Sequence, residues 1–208
     1  MFCQLFSLQN KSFLCLQYVE NKGFQTVIKH RLKAIQKHIK NELGNREKNT
    51  ENAHFVLKKC TFRFRDYIYW TQLFGKDFKR DRCGDSPNVL LNYGYSILRA
   101  ATARALLGSG LLPNLGIFHK SRYNAFPLAD DVMEPYRPYV DSIVFNLYAD
   151  GITELNKDSK MEIMRLLSCD VKIGKVMRPL QIALTFTTAS LVKFYAGEIK
   201  KISLPFIL

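Results

Sequence analysis

Residues 85–110 read DSPNVLLNYGYSILRAATARALLGSG, and this stretch decides the fold class of the chain. Asp85-Ser86-Pro87 supplies a side-chain N-cap and a proline in the first turn, and Gly108 and Gly110 favour the helix end. The run between them is apolar over much of a helix circumference, and its four alanines allow a close approach of neighbouring elements. The sequence therefore predicts a central helix of a bundle, from Val89 to Leu107.

Further helices are predicted around this one, because strand signals are weak in the second part of the chain. One begins near Leu128 and must bend at Pro135 and Pro138 before it continues to Tyr148. The others are predicted at 67–74, where Gly75 follows, at 160–169 and at 179–202. The predicted fold is mainly α, a multi-helical bundle over 61–208.

The N-terminal segment, residues 1–60, has a different texture. Apolar residues at helical spacing alternate with lysines and an arginine over 26–43, which predicts one basic amphipathic helix that Gly44 ends. Residues 44–54 are rich in Asn, Glu and Lys and are typical of an exposed linker. We interpret 1–60 as an atypical basic segment ahead of the helical domain.

Charge is the strongest compositional signal. The chain of 208 residues has 31 Lys and Arg against 18 Asp and Glu, a formal net charge of +13, and the surplus lies in the first 120 residues. Nucleic acid or another polyanion is the natural partner of such a surface. An ordinary basic protein, whose lysines merely keep it in solution, is the alternative.

The sequence disfavours several classes of protein. The five cysteines are scattered and form no C-x-x-C pair, so neither a zinc finger nor a disulfide framework is indicated. No stretch reaches the roughly 18 apolar residues of a membrane helix. The start, Met1-Phe2-Cys3-Gln4, lacks the basic region of a secretory signal. We expect a cytoplasmic protein with no membrane partner.

One histidine and a group of carboxylates carry the chemical signal. His119 follows a glycine-containing turn, and Asp130, Asp131 and Glu134 come shortly after it. An imidazole and nearby carboxylates can bind a divalent metal, which on a basic protein favours phosphodiester chemistry. The alternatives are a packed histidine and, for Asp130 and Asp131, carboxylates that stabilise a helix N-terminus.

Arginines near these residues are candidate phosphate contacts. Arg122 and Arg137 are the best placed in sequence, and Arg99 and Arg104 are weaker candidates. The aromatic element Tyr93-Gly94-Tyr95 lies on the predicted central helix, so packing is favoured over base stacking there. Phosphate-binding glycine loops and Ser-His-Asp arrangements are absent from the sequence.

Several linked motifs occur in an order and spacing that resemble a known family. The resemblance is to the CRISPR-associated integrase that inserts new spacers into CRISPR arrays, above all to members from type II systems, and it covers about residues 66–208. The motifs that carry it are Tyr69-Trp70, Leu73-Phe74-Gly75, Phe78, Arg80, the block from Leu90 to Tyr95, Gly108 to His119, Leu128 to Pro138, and Asp141.

The resemblance implies a helical catalytic domain and a metal-dependent DNA endonuclease and integrase. In that family a Glu, a His and a second acidic residue bind Mg²⁺ or Mn²⁺, and the last two correspond to His119 and Glu134, with Asp131 beside them. The implied reaction is spacer integration by transesterification. The implied partners are duplex DNA of the CRISPR repeat and the prespacer, a second copy in a homodimer, and a small dimeric CRISPR adaptation subunit.

The chain departs from the family where the first glutamate is expected. That place, eight residues before the tryptophan, holds Phe62, and a phenylalanine cannot ligate a metal. Loss of a supporting partner alone typically costs about 10–100-fold in affinity or activity, so impaired catalysis is expected. Agreement with the family begins abruptly near Asp66, which suggests a joined or frame-shifted reading of a longer gene.

Two other interpretations stay open at this point. The chain could be a non-catalytic DNA-binding or scaffold subunit of the adaptation complex that keeps the helical domain and the basic surface. It could also be a helical fragment that folds poorly alone, because a missing N-terminal domain would leave apolar surface uncovered.

Overall fold

A computed structural model describes residues 63–117, 119 and 121–206, with side chains from residue 69 onward. The predicted basic helix at 26–43 and its linker lie outside the described residues. The described part is mainly helical, as the sequence predicts. Its helices are α1 (Arg63–Phe74), α2 (Asn88–Gly108), α3 (Pro127–Met133), α4 (Arg137–Ala149), α5 (Lys157–Met164) and α6 (Leu180–Tyr195).

Helix α2 is the central element, as predicted, because α3, α4, α5 and α6 all pack against it. Leu90, Leu91 and Leu98 are fully buried on it. The predicted side-chain cap at its start is wrong. Pro87 precedes the helix after a cis bond from Ser86, and no side chain caps the first turn. Instead the backbone N–H of Asn88 donates to the Asp85 carbonyl oxygen at 2.8 Å.

The predicted bend after Leu128 is present. Helix α3 passes at Glu134–Tyr136 into a short 3₁₀ turn, and α4 begins directly after it. Pro135 and Pro138 lie at the starts of these two segments, where their missing N–H groups cost little. The bend sets Glu134 at the junction between α3 and the 3₁₀ turn.

The C-terminal part differs from the prediction. A hairpin of β1 (Asp170–Ile173) and β2 (Val176–Pro179) lies between the two expected helices, where no strand was predicted, and β3 (Pro205–Phe206) pairs antiparallel with β1. Gly174, with a φ of 61°, forms the tight turn between the first two strands. Helix α6 ends at Tyr195, well before residue 202, because Gly197 adopts a φ of 76°.

Helix α5 also begins earlier than predicted, at Lys157. The Asn156 side chain accepts from the Ser159 N–H at 2.9 Å, and the Ser159 hydroxyl accepts from the Asn156 N–H at 2.9 Å. This reciprocal cap starts the helix, and a 3₁₀ turn at Arg165–Ser168 follows its end.

One apolar core joins α1, α2, α4, α5, α6 and β1, and a smaller cluster lies between α2, α3 and α6. Trp70 of α1 stacks on Phe74, with ring centroids 6.0 Å apart. Across the residues that the structure describes, no helix combines the length and apolar character needed to cross a membrane.

Candidate active site

The loop that carries His119 is held close to the start of α3. The Leu128 N–H donates to the Pro113 carbonyl oxygen at 2.9 Å, which fixes the start of the loop. Gly116 lies against the His119 carbonyl oxygen and the Pro127 ring, and a Cβ at this position would clash with both. Glycine is therefore required for the close approach that places His119 beside the helix.

Asp131 fixes the orientation of the His119 imidazole. Its Oδ1 lies 2.6 Å from His119 Nδ1, and the backbone N–H groups of Ile117 and His119 donate to the same carboxylate at 2.7 and 3.3 Å. The Asp131 side chain is 1% exposed and the His119 side chain 32% exposed. A buried carboxylate therefore holds a partly exposed imidazole through its Nδ1.

Glu134 lies one helical turn after Asp131, so the two carboxylates share a helix face. Its side chain is 12% exposed, and Oε1 accepts from an Arg137 terminal nitrogen at 2.9 Å. The structure thus joins the predicted His119 to Asp131, and it pairs the predicted Glu134 with Arg137.

Asp130 has a different role from its neighbour. It forms an ion pair with Arg99 of α2, and Asn124 Nδ2 donates to it at 2.7 Å. Burial raises the pKa of Asp130, but these hydrogen bonds and the Arg99 charge lower it by more, so the pKa lies below its usual value. Arg99 is thus paired with Asp130, and its suggested phosphate contact stays a prediction.

The two arginines predicted as phosphate contacts have distinct surroundings. Arg122 is exposed, donates to the Tyr123 hydroxyl at 2.6 Å and lies over the Tyr123 ring at 4.8 Å. Arg137 pairs with Glu134 and lies over the Tyr95 ring at 4.9 Å. Both guanidiniums are near the His119 segment in sequence, and their DNA contacts remain predictions.

The described side chains do not build a full metal cage. Among them, no group of three or more His, Cys, Asp and Glu side chains is arranged to hold a metal ion. The donor set that is present fits part of such a site. A histidine backed by a carboxylate at its other ring nitrogen is the usual form of a metal-binding imidazole.

The sequence predicts no role for one buried carboxylate, which lies on α4. Asp141 of α4 is completely buried and accepts from the Tyr69 hydroxyl at 2.6 Å and from the Tyr95 hydroxyl. The available signal was a charged residue within an apolar helical run. Its partners come from 72 and 46 residues away, which a single sequence does not reveal.

Comparison with known proteins agrees with this architecture. Residues 67–168, which include His119, Asp131 and Glu134, match the family of CRISPR associated protein Cas1. A CRISPR-associated endonuclease Cas1 from Neisseria meningitidis is 42% identical over 110 residues, which are 52% of this chain and 36% of the relative. One from Pyrobaculum aerophilum is 34% identical over 92 residues, 40% of this chain and 30% of the relative.

Solved structures share the fold at low sequence identity. A casposase bound to an integration product aligns with a TM-score of 0.61 and 20% identity, over 90% of this chain and 62% of that one. A Cas1 protein from Thermotoga maritima aligns with a TM-score of 0.59 and 17% identity, over 91% of this chain and 67% of that one.

These matches confirm the resemblance drawn from the motifs. The match to the Cas1 family model is carried by residues 67–168, which are just under half of the chain. The chain spans about a third of the length of the curated relatives that it matches.

Proposed function

We propose that this chain is a metal-dependent DNA endonuclease and integrase of CRISPR adaptation, impaired by the lack of one ligand glutamate. The observation that carries the proposal is the Asp131 and His119 pair. With Nδ1 held at 2.6 Å by a buried carboxylate, Nε2 is the ring nitrogen that would bind the metal. Glu134, one turn further along, would supply the second ligand.

Mg²⁺ or Mn²⁺ is the expected ion. Mg²⁺ commonly uses one or two protein carboxylates and completes its shell with water and substrate phosphate oxygens. An imidazole ligand favours Mn²⁺ over Mg²⁺, because imidazole suits transition metals. When bound, the ion would polarise a phosphate oxygen and stabilise the charge that develops during attack on phosphorus.

The proposed reaction is a transesterification. A DNA 3′-hydroxyl attacks the phosphorus at a repeat border, a new P–O bond forms, and the bond to the former 3′-oxygen breaks. The number of phosphodiester bonds is unchanged, so no external energy source is needed. His119 and Glu134 would hold the reacting phosphate through the metal, and the exposed Arg122 would bind a neighbouring phosphate.

The resemblance to the family suggests the binding partners, the oligomeric state and the location of the protein. We propose the CRISPR repeat and the prespacer duplex as DNA partners, a homodimer as the working unit, and a small dimeric CRISPR adaptation subunit as its bridge. The cytoplasm is the expected location. The Neisseria and Pyrobaculum relatives are named endonucleases, and the casposase was solved with an integration product.

A non-catalytic DNA-binding or scaffold subunit is the second candidate. Two observations favour it: the described residues contain no three-ligand cluster, and Phe62 stands where the family has a glutamate. Such a protein would keep the basic surface and bind DNA without turnover.

Strand nicking and strand transfer on branched DNA separate the two candidates. The assay uses end-labelled DNA with Mn²⁺ or Mg²⁺ and compares the wild-type chain with His119→Ala and Glu134→Gln. Glu198→Gln, which changes an exposed glutamate, is the matched control. Metal-dependent products that disappear in the first two variants and persist in the control support the enzyme. Salt-sensitive DNA binding without products in the wild-type chain supports the scaffold.

A further inference from the structure

A buried polar cluster connects α1, α2 and α4. The Asp141 carboxylate accepts hydrogen bonds from the hydroxyl groups of Tyr69 and Tyr95, and all three side chains are buried. A buried carboxylate is costly unless it is hydrogen-bonded and balanced by positive charge. The two tyrosines supply the hydrogen bonds, and two nearby arginines supply the charge.

Those arginines, Arg80 and Arg137, both lie over the Tyr95 ring, with guanidinium carbons 5.4 and 4.9 Å from its centroid. Arg80 is anchored by the Asn88 and Asn92 side-chain oxygens at 2.9 and 2.6 Å. Burial lowers the pKa of Arg80, and the Tyr95 and Asp141 groups oppose that shift. The Tyr95 ring is therefore a shared surface for two cations in a poorly solvated place.

Arg137 joins this cluster to Glu134. It lies one helical turn before Asp141 on α4, and its terminal nitrogen donates to Glu134 Oε1 at 2.9 Å. Its Nε is buried and has no hydrogen-bond acceptor. The contacts that fix the guanidinium are thus the Glu134 carboxylate at one end and the Tyr95 ring beneath its plane.

We propose that Tyr95 is a positioning residue whose ring holds the Arg137 guanidinium in place and thereby fixes the Glu134 carboxylate for metal binding. The inference rests on the proposed metal site. An ionised carboxylate offers about four acceptor positions, so the pair with Arg137 is compatible with metal coordination by Glu134. The Tyr95 ring sets the position of Arg137, and the Tyr95 hydroxyl donates a hydrogen bond to Asp141.

Mn²⁺ binding to the full chain, measured by the loss of the free-ion electron paramagnetic resonance signal, tests this directly. Tyr95→Leu removes the ring and should weaken Mn²⁺ binding by about 10-fold or more, the usual effect of losing a supporting partner. Tyr95→Phe keeps the ring and should retain affinity within about threefold, although its melting temperature falls because Asp141 loses a hydrogen bond. Leu184→Ala, a fully buried change in α6, is the control for stability loss alone.

The Nε–H resonance of Arg137 provides a second readout that needs no metal. The Tyr95 ring should shift this signal, the shift should persist in Tyr95→Phe, and it should vanish in Tyr95→Leu. If Tyr95→Leu changes neither this resonance nor Mn²⁺ affinity beyond the Leu184→Ala control, the positioning role is wrong. Equal losses in Tyr95→Phe and Tyr95→Leu would also overturn it, since the ring would then not be the supporting group.

The same measurements distinguish this inference from the proposed function. If Glu134→Gln binds Mn²⁺ as well as the wild-type chain does, or if the wild-type chain binds none, the metal site itself is wrong. The Arg137 resonance still decides the positioning role in that case. If Glu134→Gln loses affinity while Tyr95→Leu does not, the metal site stands and the positioning role falls.

Discussion

At the scale of single residues, adjacent carboxylates in α3 have separate tasks. Asp131 turns toward the His119 loop and binds its backbone and imidazole, whereas Asp130 turns toward Arg99 of α2. Neighbours on a helix are about 100° apart, so two consecutive aspartates reach different elements. Asp131 therefore orients His119, the candidate metal ligand, and Asp130 links α3 to the central helix α2.

The Asp131 contact with His119 leads to the first prediction. Asp131→Asn keeps the shape but removes the negative acceptor at Nδ1, so Mn²⁺ affinity should fall by about 10–100-fold. Calorimetric titration with Mn²⁺ measures this affinity. Asp130→Asn is the matched control and should change Mn²⁺ affinity much less, because Asp130 pairs with Arg99 and Asp131 is the residue that hydrogen-bonds to His119. Similar affinity losses in the two variants would contradict separate roles.

The Arg99 and Asp130 pair leads to a prediction on pH. Because the pKa of Asp130 is lowered in the folded chain, its contribution to stability is present above the ordinary value of 3.8 and is lost as pH falls through the lowered one. Arg99→Met should therefore cost about 1–3 kcal/mol at neutral pH, toward the low end because Arg99 is partly exposed.

Urea unfolding of this variant at several pH values checks the prediction. The difference in unfolding free energy from the wild-type chain should shrink on acidification, since protonated Asp130 no longer needs Arg99. Arg165→Met, which breaks an exposed pair with Glu162, is the control and should cost at most about 1 kcal/mol. A difference for Arg99→Met that stays constant down to pH 3 would show that the ion pair is not its source.

At the scale of elements, the close crossing of α2 and α4 depends on one glycine. A Cβ at Gly94 would clash with the Val140 side chain and would touch Ile163 at 3.4 Å. Val140 is branched and buried, so it has little freedom to move away. The absence of a side chain at Gly94 is what lets these helices meet, and α4 carries Arg137 and Asp141.

Gly94→Ala should therefore destabilise the protein by about 1–3 kcal/mol, because overpacking outweighs the gain in helix propensity. Gly108→Ala, at the exposed end of the same helix with nothing within 4 Å of its Cβ, is the control and should be neutral or slightly stabilising. Melting temperatures of the two variants measure the contrast. A Gly94→Ala protein as stable as the wild-type chain would show that α2 and α4 do not pack this tightly.

The elements were predictable where periodicity and breakers agreed. Helix α2 and the bend at Pro135 followed from apolar spacing, glycines and prolines. The β1 and β2 hairpin was missed because its four-residue strands are too short to show an alternation against helical neighbours. The end of α6 was placed too late because apolar residues continue past Gly197.

The candidate site was predictable only in part, for a physical reason. His119 and Asp131 are close in sequence, and a loop followed by a helix brings them together. The partners of Asp130 and Asp141 come from distant parts of the chain, so their hydrogen bonds depend on tertiary packing. A single sequence gives the residue types of such contacts but not the pairs.

At the scale of the whole molecule, the net charge of +13 should govern DNA binding. Each phosphate contact releases counterions, so the logarithm of the binding constant should fall linearly with the logarithm of salt concentration. Arg122→Ala should reduce that slope by about 1, if the exposed Arg122 contacts one phosphate. Arg165→Ala, whose guanidinium is paired with Glu162, is the control and should leave the slope unchanged.

Fluorescence anisotropy with labelled branched DNA at a series of salt concentrations gives these slopes. Equal slopes for the wild-type chain and Arg122→Ala would remove Arg122 from the DNA surface. Binding that does not depend on salt would remove the polyanion interpretation of the basic charge as a whole.

The account depends most on a divalent ion held by His119, and pulsed electron paramagnetic resonance tests that contact directly. The full chain with branched DNA and Mn²⁺ should show nitrogen coupling from one imidazole, which is lost in His119→Ala and kept in Glu198→Gln. If the nitrogen coupling is absent from the wild-type complex, or if it is unchanged in His119→Ala, the metal does not bind where we propose.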